Sequence, residues 1–304
     1  MSPFRAAPPC KLALALAFAL ASIAAASAKP LVAVSILPQA EFVRRIAGDS
    51  VAILVLVGPG ASPHSFEPSP RQMAELSKAK IWFSLGVDFE KALKPKIAKL
   101  YPALRIVDTS AKVAFRSLEE HHHDEAGDES PGGSGAAGGG DAPGGRDQHI
   151  WLGREAVKAQ LGVILPSLQA LVPTQASAFA SRHAAFRDEI DRVFEALKAE
   201  LASRRGEKVF VFHPSFGYFL DEFGLVQEAV EAGGKEPTQR VLAELIKSAK
   251  AEGARTIFVQ KQFPSAAAKT VAAAIGGKVV EVDPLAENWL ENIRLMGDAL
   301  KGGK

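Results

Sequence analysis

Two hydrophobic patterns alternate along most of the chain. Short runs of β-branched and aromatic residues are followed by longer stretches in which apolar residues recur every three or four positions. This alternation is typical of an α/β fold in which parallel strands are connected by crossover helices. We predict strands at residues 31–37, 51–57, 81–85, 209–213, 256–260 and 278–283, and amphipathic helices at 70–79 and 155–171.

The stretch from residue 173 to residue 206 follows the helical pattern alone. Its apolar face consists of Phe179, His183, Phe186, Ile190, Val193, Leu197 and Leu201. At ~1.5 Å per residue, a helix of roughly 30 residues is about 45 Å long. Because α/β blocks lie on both sides of it, we predict that this helix links an N-terminal lobe, residues 29–172, to a C-terminal lobe, residues 207–304.

The first 28 residues have the features of a cleavable signal peptide. Arg5 and Lys11 precede an apolar run over residues 12–26, and the run closes on a small-x-small signal at residues 26–28. The run has about 15 residues, fewer than the ~20 that a membrane-spanning helix needs. We therefore expect cleavage after Ala28 and export of the mature chain, rather than a permanent membrane anchor.

The predicted mature chain contains no cysteine, because the single cysteine, Cys10, precedes the apolar run of the leader. A disulfide, an iron–sulfur cluster and a cysteine nucleophile are therefore excluded, and a transition-metal site must use imidazole and carboxylate. Removing Arg5 and Lys11 from the 36 basic residues leaves 34, which equals the 34 acidic residues. This balance does not indicate nucleic-acid binding.

An irregular segment interrupts the N-terminal lobe at residues 119–148. It opens with acidic residues around His121, His122 and His123, then continues as a tract rich in Gly, Ser, Pro and Ala. Such a composition buries too little surface to offset the entropy of ordering, so we predict a mobile loop. Its histidines either collect metal or belong to a solvated loop, and we favour weak, dispensable metal contact.

Two candidate metal ligands, His213 and Asp283, each close a predicted strand. In open parallel sheets, ligands bind beyond the carboxyl ends of the strands, which is where both residues fall. Each also has a structural interpretation. A histidine at a strand end is often a hydrogen-bonded surface residue, and an aspartate before Pro284 can cap a turn.

Two further candidates, His64 and His149, lie in loops of the first half. Pro63 and Pro68 restrict the backbone around His64, which leaves the imidazole little entropy to lose on binding. His149 stands where the irregular segment ends and apolar sequence resumes. Both positions suit a ligand better than a packing residue, whereas the helical spacing of His183 predicts packing.

Three imidazoles and a carboxylate suit zinc at ~2.0–2.2 Å in tetrahedral geometry, and suit manganese less well. His64 and His149 precede the long helix, whereas His213 and Asp283 follow it. We therefore predict a divalent metal site that bridges the two lobes.

Four segments that carry these candidates resemble the metal-specific solute-binding proteins of zinc and manganese ABC transporters. They are, in chain order, residues 63–68 (PHSFEP), 147–152 (DQHIWL), 213–219 (HPSFGYF) and 283–289 (DPLAENW). The similarity runs in the same order over essentially the whole mature chain. It implies two (β/α) lobes with parallel-type sheets, joined by one long rigid helix, and a metal ion held in the cleft between them.

The resemblance also implies roles for individual residues. The ligand positions of the family fall on His64, His149, His213 and Asp283, and in some zinc members water or another carboxylate fills the fourth position. Manganese members carry a carboxylate where His213 stands, and a His- and acid-rich loop is a hallmark of zinc members. We therefore expect Zn²⁺ rather than Mn²⁺ as the transported ligand.

The expected protein is a periplasmic monomer and not an enzyme. Its partners would be an inner-membrane ABC permease and the cytoplasmic ATPase of that permease. A manganese or iron carrier of the same family is the first alternative. A zinc hydrolase is the second, but the chain lacks a His-Glu-x-x-His helix and offers only Glu67 as a general base near a ligand. An adhesin-like surface protein is compatible with the leader alone.

Overall fold

The described part of the chain contains two sheets of four parallel strands. The computed structural model describes residues 28–117, 145–230, 238–254, 256–262 and 266–301. The first sheet consists of Leu31–Ile36 (β1), Ala52–Val57 (β2), Ile81–Ser84 (β3) and Arg105–Asp108 (β4), in the order β2-β1-β3-β4. The second consists of Lys208–Val211 (β5), Val226–Ala229 (β6), Thr256–Gln260 (β7) and Lys278–Val282 (β8), in the order β6-β5-β7-β8.

Every strand pair in both sheets is parallel. The central strands β1, β3 and β7 bury almost every side chain, which is why their sequences are continuous apolar runs rather than alternating ones. The α/β fold with two lobes and parallel sheets, joined by one long helix, is thereby confirmed.

Helices connect the strands within each lobe. The N-terminal lobe contains Leu37–Ala47 (α1), Pro70–Leu76 (α2), Asp88–Leu100 (α3) and Arg154–Leu171 (α4). The linking helix is Ala176–Glu200 (α5). The C-terminal lobe contains Gly217–Asp221 (α6), Gln239–Ala251 (α7), Ala266–Ala274 (α8) and Trp289–Lys301 (α9).

The start of α2 shows how the sequence fixes one of the loops above the first sheet. Ser69 accepts a hydrogen bond from the backbone N–H of Gln72, and the Gln72 side chain accepts one from the Ser69 N–H, forming a capping box. Pro70 occupies the first helical turn, where its missing N–H costs nothing. The Gln72 amide also donates to Leu56 O on β2 at 2.7 Å, which ties both ends of the intervening loop together.

The linking helix α5 is shorter than the predicted 173–206. It has 25 residues, and 3-10 turns at Pro173–Gln175 and Ala202–Arg204 flank it. At ~1.5 Å per residue this length is about 37 Å. Gly206 follows with a φ of 84°, a conformation that a right-handed helix excludes. The helix packs on α1 and α4 in the first lobe and on α9 in the second.

The larger hydrophobic core crosses from one lobe to the other. Trp289 of α9 packs edge-on against Phe42 of α1, with 5.1 Å between ring centroids, and its indole donates to Trp151 O at 2.6 Å. Trp151 in turn donates to Pro284 O at 2.9 Å. A second, smaller core lies on the other face of the second sheet. Its members are Phe210, Phe212, Val230, Leu245, Ala249, Ile257, Val259, Ala268, Val271 and Ala272.

Several predicted features lie wholly or mainly outside the described residues. These are the signal peptide at 1–28 and all but the end of the loop at 119–148, with His121, His122 and His123. The lobe boundaries at 172/173 and 206/207 stay predictions. No helix in the described part of the chain is both long and apolar enough to span a membrane.

Candidate metal centre

The three predicted histidines converge from both lobes. One ring nitrogen each of His64, His149 and His213 lies within 4.8 Å of the other two. The Nε2 atoms of His149 and His213 are 3.3 Å apart. Zn–N distances of ~2.0–2.1 Å with tetrahedral angles separate two ligand nitrogens by about 3.3 Å. The His149 and His213 nitrogens are therefore spaced as two ligands of one small ion, and a His64 nitrogen lies within 4.8 Å of both.

His64 is held by a carboxylate at the start of α3. It lies in the loop between β2 and α2, and its Nδ1 is 2.8 Å from Oδ2 of Asp88, the first residue of α3. With Nδ1 engaged by the carboxylate, Nε2 is the nitrogen left for a metal. Burial disfavours the charge of Asp88, but hydrogen bonds from Lys91, His64 and Gln148 outweigh it and lower its pKa to about 2.

His149 is held more tightly and is buried. Its Nδ1 lies 2.7 Å from Oδ1 of Asp147, and the same oxygen accepts a bond of 2.9 Å from the His149 backbone N–H. Asp147 is itself fully buried. Burial alone would raise the pKa of Asp147, but His149 and the Arg116 guanidinium, at 3.0 Å, lower it. The carboxylate therefore stays charged and fixes the ring.

His213 enters from the second lobe, two residues beyond the end of β5. The neighbouring strand β7 ends at Gln260, whose side chain accepts from the His213 N–H at 3.2 Å and donates to the His213 carbonyl at 2.5 Å. The same amide donates to Ser215 Oγ at 2.8 Å. Gln260 is fully buried, so the backbone of His213 is fixed by one side chain at the carboxyl edge of the sheet.

Asp283 follows β8 at the same edge but lies outside the group of three histidines. Its Oδ1 accepts hydrogen bonds from the Gln262 side chain at 2.7 Å and from the Leu285 N–H at 3.0 Å. These contacts correspond to the turn-capping role given above as its structural interpretation. Its role as a fourth ligand stays a prediction.

The cavity between the histidines is small. It has a volume of about 20 Å³, and Pro63, Trp151, Pro284 and Leu285 supply its apolar walls. That space accommodates one ion or one water molecule. Of the three histidines, His149 and His213 are buried and His64 is exposed.

His183 behaves as the packing residue that its spacing predicts. It is buried on α5, and its Nε2 makes no hydrogen bond within the described part of the chain. Burial, followed by repulsion from Arg187, lowers its pKa, so the ring is held neutral.

Sequence reasoning missed the residues that hold the ligands, namely Asp88, Asp147 and Gln260. Asp147 had a local signal, because it stands two residues before His149. Gln260 ended a predicted strand next to the one that His213 closes. Asp88 stands 24 residues from His64 and had no such signal.

The chain matches a known protein family over most of its length. The sequence profile of the family described as zinc-uptake complex component A periplasmic matches residues 32–303. A crystal structure of ZnuA shares 30% sequence identity with this chain and superposes with a TM-score of 0.79. That match covers 90% of this chain and 98% of the ZnuA chain.

Two more distant relatives are associated with different metals, one with zinc and one with manganese. AdcA of Streptococcus pyogenes serotype M3, named a zinc-binding protein, is 25% identical over 86% of this chain and 51% of its own length. FpvC of Pseudomonas aeruginosa was solved in complex with Mn²⁺ and has a TM-score of 0.70 at 22% identity. The match covers 90% of this chain and 97% of FpvC, and at this identity it supports the fold alone.

Proposed function

Because the chain belongs to the family of zinc-uptake complex component A periplasmic proteins, we propose that it captures Zn²⁺ between its lobes and delivers it to a membrane importer. Membership in this family makes the chain a solute-binding component of a metal transporter and not an enzyme.

The convergence of His64, His149 and His213 carries the proposal. The three imidazoles come from two lobes. The Nε2 atoms of His149 and His213 are 3.3 Å apart, which is the distance between two nitrogens bound to one tetrahedral ion. The cavity of about 20 Å³ accommodates that ion and excludes organic solutes. A cargo ion held this way would be released by a shift of either lobe.

Zinc is the proposed cargo because the site offers neutral nitrogen ligands. Imidazole suits Zn²⁺, whereas Mn²⁺ prefers carboxylate and water oxygens. The family is described as a zinc-uptake component and AdcA as a zinc-binding protein, and both descriptions support zinc. FpvC has the same fold and was solved with Mn²⁺, which keeps manganese as the alternative cargo. We propose that Asp283 or a water molecule completes the coordination.

The hydrolase alternative is not favoured. A catalytic zinc site needs an open position with room for substrate, and the cavity here has room for a single ion or water. Glu67, the candidate general base, is exposed. Membership in a transport family points the same way.

The proposed partners are an inner-membrane ABC permease and its cytoplasmic ATPase, and the proposed location is the periplasm. Both follow from the transport role of the family and from the leader sequence. We propose that the protein acts as a monomer, since one chain supplies all three histidines.

The first experiment is a competition titration of metal-stripped mature protein with Zn²⁺ and Mn²⁺, alongside His213→Ala. We expect one tight zinc site, much weaker manganese binding, and loss of the site in the variant. His183→Gln is the matched control, because it removes a histidine from outside the cluster and should bind zinc normally. A preference for manganese, or tight zinc binding that survives His213→Ala, would show that the proposal is wrong.

A further inference from the structure

A group of polar contacts joins the two lobes beside His149. We call it the clamp, and it consists of Arg116 and Asp147 from the first lobe and Tyr218 and Asp221 from α6 of the second. The Arg116 guanidinium donates to Asp147 Oδ2 at 3.0 Å and to Asp221 Oδ2 at 2.9 Å. Tyr218 Oη accepts from the Arg116 N–H and donates to the Asp147 carbonyl, both at 3.0 Å.

The clamp is largely shielded from solvent. The Asp147 side chain is fully buried and that of Arg116 is 15% exposed, while Asp221 lies at the outer rim with 56% exposure. Burial raises the pKa of the Tyr218 hydroxyl to about 12, so this group stays protonated and can donate to Asp147. Charged hydrogen bonds shielded in this way are stronger than solvent-exposed ion pairs.

Two glycines make the close approach of the lobes possible. A Cβ on Gly217, the first residue of α6, would lie 1.9 Å from Arg116 Nη1 and 2.4 Å from its Cζ. A Cβ on Gly153 would lie 3.0 Å from Tyr218 Cβ. The guanidinium therefore occupies space that only glycine leaves open.

One carboxylate connects the clamp to the metal centre. Asp147 uses Oδ1 to hold the ring and the backbone of His149, and Oδ2 to accept from Arg116. Arg116 in turn depends on Asp221 and Tyr218, which belong to the second lobe. If the lobes move apart, Asp147 loses the hydrogen bond from Tyr218 to its carbonyl, and Arg116, which holds Oδ2 of Asp147, loses its contacts with Tyr218 and Asp221. The restraint on Asp147 then weakens, and the orientation of His149 changes with it.

We infer that Arg116 and Tyr218 are positioning residues, which couple contact between the lobes to the orientation of His149 and so slow release of the bound metal. This inference rests on the proposed function. This coupling would give the importer a means of releasing the metal, because separating the lobes would loosen a ligand as well as widen the cleft.

Gly217→Ala tests the inference without removing a polar group. The added methyl displaces the flexible end of Arg116, and we expect zinc release into excess chelator to accelerate about 10-fold, the lower end of the effect of losing a group that orients a ligand. The absorption spectrum of the Co²⁺-loaded protein should change as well, because it reports the ligand geometry. Gly162→Ala is the matched control, since a Cβ there meets no atom within 4 Å, and it should release zinc at the wild-type rate.

Tyr218→Phe is a second, independent variant. It removes the hydroxyl that joins Arg116 to Asp147, and we expect release to accelerate by about 3- to 10-fold. Tyr101→Phe, the same change at the only other tyrosine, should leave the rate unchanged. Melting of the metal-free variants should stay within a few degrees of wild type, which separates positioning from unfolding.

Wild-type release rates in both Gly217→Ala and Tyr218→Phe would overturn the inference, as would equal acceleration in the two controls. Failure of the proposed function would look different. In that case the wild-type protein would not hold zinc tightly, or its binding would survive His213→Ala.

Discussion

The carboxylates of the first lobe and Gln260 of the second lobe contact different parts of their histidines. In the first lobe, carboxylates contact the rings directly, with Asp88 on His64 and Asp147 on His149. In the second lobe, the contacts from Gln260 fall on the backbone of His213. A carboxylate on the ring sets the tautomer and raises the basicity of the ligand, whereas an amide on the backbone fixes only where the residue lies.

This difference predicts two kinds of failure. Changes among the carboxylates of the first lobe should weaken metal binding while the fold persists. Changes at Gln260 should weaken the fold before they affect the chemistry of the ligand. The following substitutions test that separation.

Gln260→Leu should have the largest effect of these substitutions, and we expect it to lower the stability of the fold. It removes hydrogen-bond partners of the His213 N–H, the His213 carbonyl and Ser215 Oγ at a fully buried position, although the carbonyl keeps the Ser215 N–H at 2.8 Å. Since losing a buried hydrogen-bond partner costs about 1–3 kcal/mol, we expect the metal-free protein to lose about 2 kcal/mol or more of unfolding free energy. Urea denaturation measures this loss.

Gln169→Leu is the control for that measurement. Its side chain donates a hydrogen bond to Ala176 O at 2.9 Å and lies only partly buried. We expect a loss of about 1 kcal/mol or less. Equal losses in the two variants would contradict the special role of Gln260.

Asp147→Asn should have the next largest effect, and we expect it to lower the affinity for zinc. Replacing a carboxylate that orients a metal-bound histidine typically costs 10- to 100-fold, and we expect zinc affinity to fall by about that factor. Competition titration measures it. Asp191→Asn, which disturbs an ion pair with Arg154 at 2.7 Å on the linking helix, should leave the affinity unchanged.

Asp88→Asn should reduce zinc affinity less than Asp147→Asn does, by about 10-fold or less. The side chains of His64 and Asp88 are 31% and 38% exposed, so water can partly replace the lost charge. The same titration ranks the two variants. A larger loss for Asp88→Asn would show that burial does not decide which carboxylate matters.

His183→Leu should have the smallest effect, and this effect should be on how the unfolding free energy depends on pH. Because burial, followed by Arg187, lowers the His183 pKa, the unfolded chain takes up its proton near pH ~6.5 while the folded chain resists. Unfolding free energy therefore falls as pH falls below ~6.5, until the folded state is protonated too. Because leucine takes up no proton, the unfolding free energy of the variant lacks this fall at low pH.

At pH 8 we expect His183→Leu to be about 1 kcal/mol more stable than wild type, because an unsatisfied nitrogen is replaced by an apolar group. At pH 5.5 the difference should be larger. Urea denaturation at both values measures it, and a difference independent of pH would contradict the assignment.

The strands that sequence predicted each contain at least three β-branched or aromatic residues. β4 and β6 were not predicted because their sequences, RIVD and VQEA, contain only two and one such residues. The sequence predicted a linking helix over 173–206, whereas α5 covers Ala176–Glu200 and short 3-10 turns flank it at both ends.

The histidines of the candidate site could be predicted from their positions at strand ends and in a proline-bounded loop. Their partners could not all be predicted, because pairing of Asp88 with His64 depends on how α3 packs beside the loop. Asp283 shares the placement of His213, yet its carboxylate is engaged by Gln262 and the Leu285 N–H. Placement at a strand end indicates which residues can reach a site, and tertiary contacts decide which ones face it.

The division of the molecule into cores does not follow its division into lobes. Val209 and Val211 of β5 belong to the larger core, which continues into the first lobe, whereas Phe210 and Phe212 belong to the smaller core under α7 and α8. Recombination between relatives that exchanged the whole second lobe would therefore cut through packed side chains. Exchange of α7 and α8, together with the residues they cover, would keep each core intact.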